Sequence, residues 1–279
     1  MPTPPLPRPW HDDSGSGSGP PLVLLHAFPL SSATYDRLVD ALPDRRVLRV
    51  DLPGLGRSAA SATGETSVAA MADAVVAVLD AAGVERCVPL GTSTGGYVAL
   101  ELAARHPDRL AGLVLSSTTT RVGPPDEPEE RRGLADDLER TGDLGPLVDG
   151  ADAGLGPTAQ REQPDLLPVL RDVVRAADPA GVAWVARALA ARRDTTADLA
   201  SYAGPVLLLA GAEDTETPPA RAAEMRAARA GGTEQVGQVG QVEMTELVEL
   251  AATGHLTATE RPREVADVLV AWLDRVVRG

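Results

Sequence analysis

The stretch that most constrains the fold of this 279-residue chain is a serine flanked by glycines, between a strand and a helix. Residues 86–90 are a short run of strand length, and residues 95–105 change to helical spacing. Between them stands Gly91-x-Ser93-x-Gly95, where a Cβ on either glycine would clash because strand and helix pass closely. The pattern is typical of a strained turn that exposes the serine hydroxyl. The alternative is a glycine-rich turn whose serine only caps the helix.

Apolar runs of strand length alternate with helical segments along most of the chain. Strands are predicted at residues 21–25, 46–50, 86–90, 110–115, 205–209 and 245–251. Continuous apolar runs favour the interior of a parallel sheet, which is buried on both faces. Strand–helix alternation at this spacing places the helices on both sides. The sequence therefore predicts an α/β fold with a mostly parallel sheet between two layers of helices.

The alternation stops after the fourth predicted strand and resumes at the fifth. Between these strands lie turns rich in proline and charge, together with helical segments predicted at residues 127–140, 165–176, 179–193 and 194–202. We interpret residues 121–203 as a helical cap inserted into the sheet domain. The sheet domain itself is then formed by residues 21–120 and 204–279.

Two segments have a low-complexity composition. Residues 1–20 are rich in proline and end in a Gly/Ser run, so they are predicted to form a flexible, mostly irregular tail. Residues 235–242 repeat Gln-Val-Gly with a period of three. We interpret this repeat as an exposed loop rather than as a binding element.

The composition argues against several classes of partner and cofactor. The net charge is −14 and the chain contains no lysine, whereas a nucleic-acid partner would require a basic face. Cys87 is the only cysteine, which leaves no disulfide framework and no thiolate metal cluster. No apolar stretch approaches 18 residues, and the N-terminus has no signal-peptide pattern. We therefore expect a soluble, cytoplasmic protein without a metal or other cofactor. Its oligomeric state stays open.

Three side chains that could act together in catalysis each follow a strand of the predicted sheet. Ser93 follows the third strand, Asp214 the fifth and His255 the last, and the carboxyl ends of the strands are where open α/β sheets place their sites. A serine hydroxyl is a poor nucleophile until an imidazole takes its proton. The imidazole needs a carboxylate that fixes its tautomer and stabilises its charged form. The sequence thus predicts a Ser–His–Asp triad, with Glu213 as the alternative acid.

The predicted triad also requires donors for the negative charge that develops on an attacked carbonyl oxygen. The residue after the serine, Thr94, offers one backbone N–H, and Phe28, in the loop after the first apolar strand, offers another. Each such donor typically lowers the barrier by ~3–4 kcal/mol. We expect Phe28 and Thr94 to form an oxyanion hole.

The chain resembles the α/β-hydrolase superfamily from residue 21 to residue 277 through five motifs in the expected order. These are Leu25-His-Ala-Phe-Pro29, Asp51-Leu-Pro-Gly-Leu-Gly-Arg-Ser58, Gly91-Thr-Ser-Thr-Gly-Gly96, Gly211-Ala-Glu-Asp-Thr-Glu-Thr-Pro218 and Gly254-His-Leu256. Segments 104–110 and 188–194 also resemble the branch that contains 3-oxoadipate enol-lactonases. The family usually has Gly at the position of Ala27 and two strands before the first apolar strand, for which residues 1–20 look too rich in proline and glycine.

The resemblance implies a serine hydrolase that cleaves a small carboxylic ester or lactone through an acyl-enzyme. An acyltransferase or thioesterase with the same triad is the alternative, and a non-catalytic binding protein on this fold is a third hypothesis. His26 and Trp184 are candidates for the substrate pocket. The alternatives are a structural hydrogen-bonding role for His26 and a place in the core of the cap for Trp184.

Overall fold

The computed structural model describes residues 5–61, 64, 66–232 and 244–276. Its strands, in chain order, are β1 His11–Ser14, β2 Leu22–Leu25, β3 Val47–Val50, β4 Val88–Thr92, β5 Leu113–Ser116, β6 Val206–Gly211 and β7 Thr245–Leu250. They form a single sheet in the order β1-β3-β2-β4-β5-β6-β7. Every neighbouring pair is parallel except β1 with β3. The predicted α/β class and mostly parallel sheet are confirmed.

Helices cover both faces of this sheet. In chain order they are α1 Asp36–Asp40, α2 Val68–Ala81, α3 Thr94–Arg105, α4 Glu127–Thr141, α5 Gly145–Asp149, α6 Pro157–Glu162, α7 Leu166–Arg175, α8 Pro179–Ala190, α9 Thr196–Ser201, α10 Pro219–Gly232, α11 Thr257–Glu260 and α12 Pro262–Val276. Alternate residues of the strands belong to different hydrophobic clusters, because successive side chains point to opposite faces. Val23 and Leu25 pack with α2 and α3, whereas Leu22 and Leu24 pack with α1 and α12. No helix in the described ranges is both long and apolar enough to cross a membrane.

The N-terminal segment is more ordered than its composition suggests. The prediction of an irregular tail is wrong for residues 11–14, which form β1 and pair antiparallel with the edge strand β3. Asp13 forms an ion pair with Arg46 at 2.7 Å, and the Asp51 N–H donates to the Trp10 carbonyl at 3.1 Å. The backbone N–H and C=O groups at the edge of β3 thus order a segment that has no apolar pattern of its own. Residues 1–4 and the repeat at 235–242 lie outside the described residues.

Helices α4 to α9 lie between β5 and β6 in the chain, where the sequence predicts an inserted helical segment. The short helices α5 and α6 are additional to the helices predicted there. Backbone contact joins this segment to the loop after β3, since a Cβ on Gly181 of α8 would lie 2.1 Å from the Gly54 carbonyl oxygen. The inserted helices are therefore packed directly against a loop at the carboxyl edge of the sheet.

Candidate active site

Ser93 lies on a sharp turn between β4 and α3. Its backbone has φ 53° and ψ −113°, in a region that residues with a Cβ rarely occupy. Such a conformation costs about 1–3 kcal/mol and persists only where the surrounding structure enforces it. The flanking glycines explain how strand and helix come so close: a Cβ on Gly91 would lie 2.3 Å from the Gly95 carbonyl oxygen, and one on Gly95 would lie 1.9 Å from that of Leu25.

Hydrogen bonds to the neighbouring strand hold the Ser93 backbone in this turn. The Ser93 N–H donates to the carbonyl of Ser116 at the end of β5, at 3.0 Å. The Thr118 hydroxyl donates to the Ser93 carbonyl at 2.8 Å. With both backbone groups engaged, the strained residue keeps one orientation, and its half-buried side chain faces the cavity described below.

Asp214 and His255 meet at the carboxyl ends of β6 and β7. The Nδ1 atom of His255 lies 3.0 Å from Oδ2 and 3.1 Å from Oδ1 of Asp214. The Asp214 side chain is completely buried, and its Oδ1 also accepts the backbone N–H groups of Glu216 at 2.9 Å and Thr217 at 2.8 Å. These bonds fix the carboxylate, so the imidazole that it contacts is fixed as well.

The neighbouring carboxylate, Glu213, points elsewhere. Its oxygens accept the backbone N–H of Thr158 at 2.9 Å and the Thr158 hydroxyl at 2.6 Å. These two bonds to Thr158 hold the pKa of the Glu213 carboxyl below its usual value. Of the two acids that the sequence offers, Asp214 is the one that contacts His255.

The backbone N–H groups of Phe28 and Thr94 are available to a ligand. Both residues line the cavity, and within the described part of the chain neither N–H donates a hydrogen bond. Thr94 is the first residue of α3, where the N–H groups of a helix lack partners within the helix and the dipole favours negative charge. A negatively charged ligand atom near Thr94 would therefore be favoured by this helix N-terminus.

Ser93 and His255 line the same cavity, which has a volume of about 240 Å³. In the described residues no hydrogen bond joins the Ser93 hydroxyl to the imidazole. The cavity has both apolar and polar lining residues, which come from the core and from the inserted helices. They are Ala27, Phe28, Pro29, Leu30, Ser93, Thr94, Tyr97, Arg131, Pro146, Leu147, Gly150, Ala151, Ala153, Gly154, Leu170, Val174, Glu216, His255 and Leu256.

His26 does not line the cavity, which corrects its prediction as a pocket residue. It is fully buried, with its Nδ1–H donating to the Ala27 carbonyl and its Nε2 accepting the Leu52 N–H, both at 2.9 Å. Burial also lowers the pKa of this imidazole. Both ring nitrogens are engaged, so His26 ties the loop that carries Phe28 to the loop after β3.

Trp184 is also absent from the lining of the cavity, and its prediction as a pocket wall is wrong. It is 9% exposed and packs in the hydrophobic cluster that joins α8 to α2, α3, α4 and one face of the sheet. Nearly every residue of α8 between Gly181 and Leu189 is buried, including those outside the apolar face predicted from the sequence. No residue of α8 is among those that line the cavity.

Several residues at the site have no recognisable signal in the sequence. Arg131 and Tyr97 line the cavity, and Glu260 contacts the backbone on both sides of His255. Arg131 lies among other charged residues of α4, and Glu260 follows His255 by five residues without a motif that marks it. Only the position of Tyr97 on the Ser93 helix, one turn after the serine, could have suggested proximity to the site.

The model of the alpha/beta hydrolase fold family matches residues 20–262. The chain belongs to this family.

Relatives with assigned activities match over limited segments. A pimeloyl-[acyl-carrier protein] methyl ester esterase of Aeromonas hydrophila is 44% identical over 99 residues, which is 35% of this chain and 37% of that protein. The chain thus aligns with less than half the length of such curated relatives.

Solved structures match over almost the whole chain. An esterase of Thermogutta terrifontis has a TM-score of 0.84 at 29% identity, covering 96% of this chain and 93% of that one. The enol-lactonase of Burkholderia xenovorans LB400 has a TM-score of 0.79 at 26% identity, covering 95% and 96%. The resemblance to the superfamily and its enol-lactonase branch, predicted from the motifs, is confirmed.

Proposed function

We propose that this protein is a serine hydrolase that cleaves small carboxylic esters or lactones through an acyl-enzyme. One observation carries the proposal: the turn that holds Ser93 and the hydrogen-bonded Asp214–His255 pair lie at the same cavity. Ser93 stands on its strained turn at one wall, and the Asp214–His255 pair stands at another. The similarity to esterase and enol-lactonase structures supports the same reaction class.

In the first half of the reaction His255 Nε2 takes the proton of the Ser93 hydroxyl as its oxygen attacks the substrate carbonyl carbon. Asp214 holds the imidazole Nδ1–H and stabilises the imidazolium that forms. The carbonyl oxygen becomes negative and accepts the N–H groups of Phe28 and Thr94. Because these donors are in place beforehand, each lowers the barrier by ~3–4 kcal/mol.

In the second half the bond between the carbonyl carbon and the leaving oxygen breaks, and His255 gives its proton to that oxygen. The acyl group stays on Ser93. A water molecule then attacks, with His255 again taking a proton, and the carboxylic acid leaves as Ser93 recovers its hydrogen. With a lactone the leaving oxygen remains attached to the acyl chain, so the product is a single hydroxy acid.

The size of the cavity favours a small acyl part, and its lining combines apolar side chains with the charged Arg131 and Glu216. Its volume of about 240 Å³ lies below the range of about 300–1,000 Å³ that is usual for ligand pockets. Leu147, Leu170, Val174 and Leu256 contribute apolar side chains from both the inserted helices and the core. We infer that the acyl chain lies among these residues while the ester carbonyl stays at Ser93.

The proposal is tested with matched substrates. Purified protein is assayed with p-nitrophenyl esters of two to twelve carbons, unsubstituted lactones, and thioesters of the same acyl chains. We expect the highest kcat/KM on a short ester or lactone, with the free acid as the product. Preferential turnover of thioesters, or transfer of the acyl group to an added alcohol or amine in preference to water, would favour the thioesterase or acyltransferase alternative. No turnover of any substrate would contradict the proposal.

A further inference from the structure

Glu260, at the end of α11, is a buried carboxylate that contacts the backbone on both sides of His255. It is 1% exposed. The N–H of Gly254 donates to its Oε2 at 2.8 Å, and the N–H of Leu256 donates to its Oε1 at 3.2 Å. The N–H groups of both residues next to His255 thus donate to one buried carboxylate.

The same carboxylate also holds the inserted segment. Its Oε2 accepts the N–H of Gly156, just before α6, at 3.2 Å. The Leu256 N–H is shared with the carbonyl of Gly154 at 3.2 Å. The backbones of the His255 loop and of the turn at Gly156 are in close contact, because a Cβ on Gly254 would lie 2.1 Å from the Gly156 nitrogen. Glu260 is therefore the point where the His255 loop meets the turn 154–156.

Capping of α11 alone does not account for these contacts. A glutamate that reaches back to the N–H at the start of its helix resembles a capping box, and the bond to Leu256 fits that role. The bonds from Gly254 and Gly156 come from residues outside the helix, so they do not fit a capping role. Within the described residues no cation pairs with Glu260, and burial raises the pKa of its carboxyl. A buried carboxylate without a cation is costly, so a neutral side chain would serve a purely structural purpose at lower cost.

We propose that Glu260 is a positioning residue for His255, holding the imidazole toward Asp214 through the flanking N–H groups of Gly254 and Leu256. Because Glu260 also accepts the N–H of Gly156, the position of the His255 imidazole depends on the inserted helices. The inference rests on the proposed catalytic role of His255. It implies that displacement of the turn 154–156 lowers kcat and not only substrate binding.

Glu260→Gln tests the proposal, because it keeps the size of the side chain but replaces one accepting oxygen with an NH₂ group that cannot accept an N–H. Four quantities are measured: kcat on a short acetate ester, KM on the same ester, the thermal unfolding midpoint, and the low-field proton NMR signal of the His255 Nδ1–H, identified by its loss in His255→Ala. We expect kcat to fall about 100-fold, the loss that a misplacement of about 1 Å can cause, with little change in KM. The low-field signal should broaden or disappear.

Glu213→Gln is the matched control, because Glu213 holds Thr158 of the same inserted segment, whereas in the described residues its carboxylate accepts no hydrogen bond from Gly254 or Leu256. It should keep both kcat and the NMR signal. If Glu260→Gln does not fold, Gly156→Ala replaces it: the added Cβ would lie 2.8 Å from the Gly254 nitrogen and 2.7 Å from Oε2 of Glu213, so it separates the turn from the His255 loop with Glu260 intact, and Glu213→Gln shows what displacement of the Glu213 carboxylate alone does. The same losses are expected there.

Wild-type kcat and an unchanged signal in Glu260→Gln would overturn the proposal. So would a fall in kcat with the His255 signal unchanged, or equal losses in Glu213→Gln. Failure of the wild-type protein to hydrolyse any ester would contradict the proposed function only. The NMR comparison would still decide whether Glu260 positions His255.

Discussion

The Nδ1 atom of His255 faces both oxygens of Asp214, at 3.0 Å and 3.1 Å, although two carboxylates follow β6 side by side. Asp214 turns inward, where its side chain is completely buried and accepts two backbone N–H groups. Glu213 turns toward Thr158 of the inserted helices. Adjacent acids thus have different partners: one holds the imidazole, and the other attaches the inserted segment to the core.

Asp214→Asn should lower kcat by up to about 10⁴-fold while the protein stays folded. An asparagine presents a donor to the imidazole, which favours the wrong tautomer. The kinetic constants on a short ester and the thermal unfolding midpoint check this expectation. Glu213→Gln is the control and should keep near wild-type kcat. Full activity in Asp214→Asn together with a large loss in Glu213→Gln would instead assign the acid to Glu213.

Arg131→Gln should lower kcat/KM for an ester whose acyl chain ends in a carboxylate. Arg131 lines the cavity, and its guanidinium lies 5.7 Å from the centre of the Phe28 ring. Its ion-pair partner Glu127, at 3.5 Å, is shared with Arg192 at 3.3 Å, so two cations face one carboxylate. A hydrogen bond to a charged group contributes about 1.5–3 kcal/mol, which predicts a loss of about tenfold or more.

The measurement for Arg131 compares a methyl monoester of a dicarboxylic acid with the neutral methyl ester of equal chain length. The ratio of their kcat/KM values should fall in Arg131→Gln. Arg140→Gln removes an exposed cation from the same helix, where it pairs with Asp137, and should leave the ratio unchanged. An equal change in both variants would indicate a general effect of net charge rather than a contact in the cavity.

His26→Gln should reduce the loss of stability on mild acidification. Burial lowers the pKa of His26, so the unfolded chain binds a proton near the ordinary value of ~6.5 while the folded chain does not. The stability that His26 contributes is therefore present above this pH and is lost as the pH falls toward the lowered pKa of the folded state. One such group contributes a slope of up to about 1.4 kcal/mol per pH unit.

The His26 prediction is checked by denaturant unfolding at several pH values between 7.5 and 5. Glutamine keeps an acceptor for the Leu52 N–H, and the partly exposed His11, changed to Gln, is the control. The dependence of unfolding free energy on pH should be flatter in His26→Gln and unchanged in His11→Gln. The same slope in wild type and His26→Gln would show that this histidine does not govern acid stability.

The sheet and the place of the serine could be predicted because local patterns determine them. Continuous apolar runs such as 22–25 and 206–209 are buried wherever a parallel sheet forms, and the glycines around Ser93 have a steric reason that is visible in the sequence. The order of Ser93, Asp214 and His255 along the chain then brings them to one edge of the sheet. These inferences need no knowledge of the inserted helices.

The remaining features depend on contacts between distant segments. Strand β1 forms only because the edge of β3 offers pairing groups to residues 11–14. Trp184 is part of the core because α8 is buried on nearly all sides, which its apolar face alone did not indicate. The role of Glu260 requires the turn 154–156 to lie against the His255 loop, roughly a hundred residues away in sequence. Contacts of this kind between distant segments leave no periodic pattern in the sequence.

Ser93→Ala should remove nearly all ester hydrolysis while leaving thermal unfolding unchanged. The oxyanion donors and the cavity remain, so a residual rate of order 10³–10⁴ over the uncatalysed reaction is expected. Steady-state assays and the unfolding midpoint provide the comparison. A variant that kept a tenth of the wild-type kcat would exclude Ser93 as the nucleophile.

The proposed mechanism requires Ser93 to become covalently acylated, and intact mass after exposure to a fluorophosphonate measures the reactivity that this step needs. The wild-type protein should gain a single adduct, which peptide mapping assigns to Ser93. The Ser93→Ala protein, folded to the same extent, should gain none. An adduct of equal yield on both proteins, or no adduct on a wild-type protein that hydrolyses esters, would contradict the proposed mechanism.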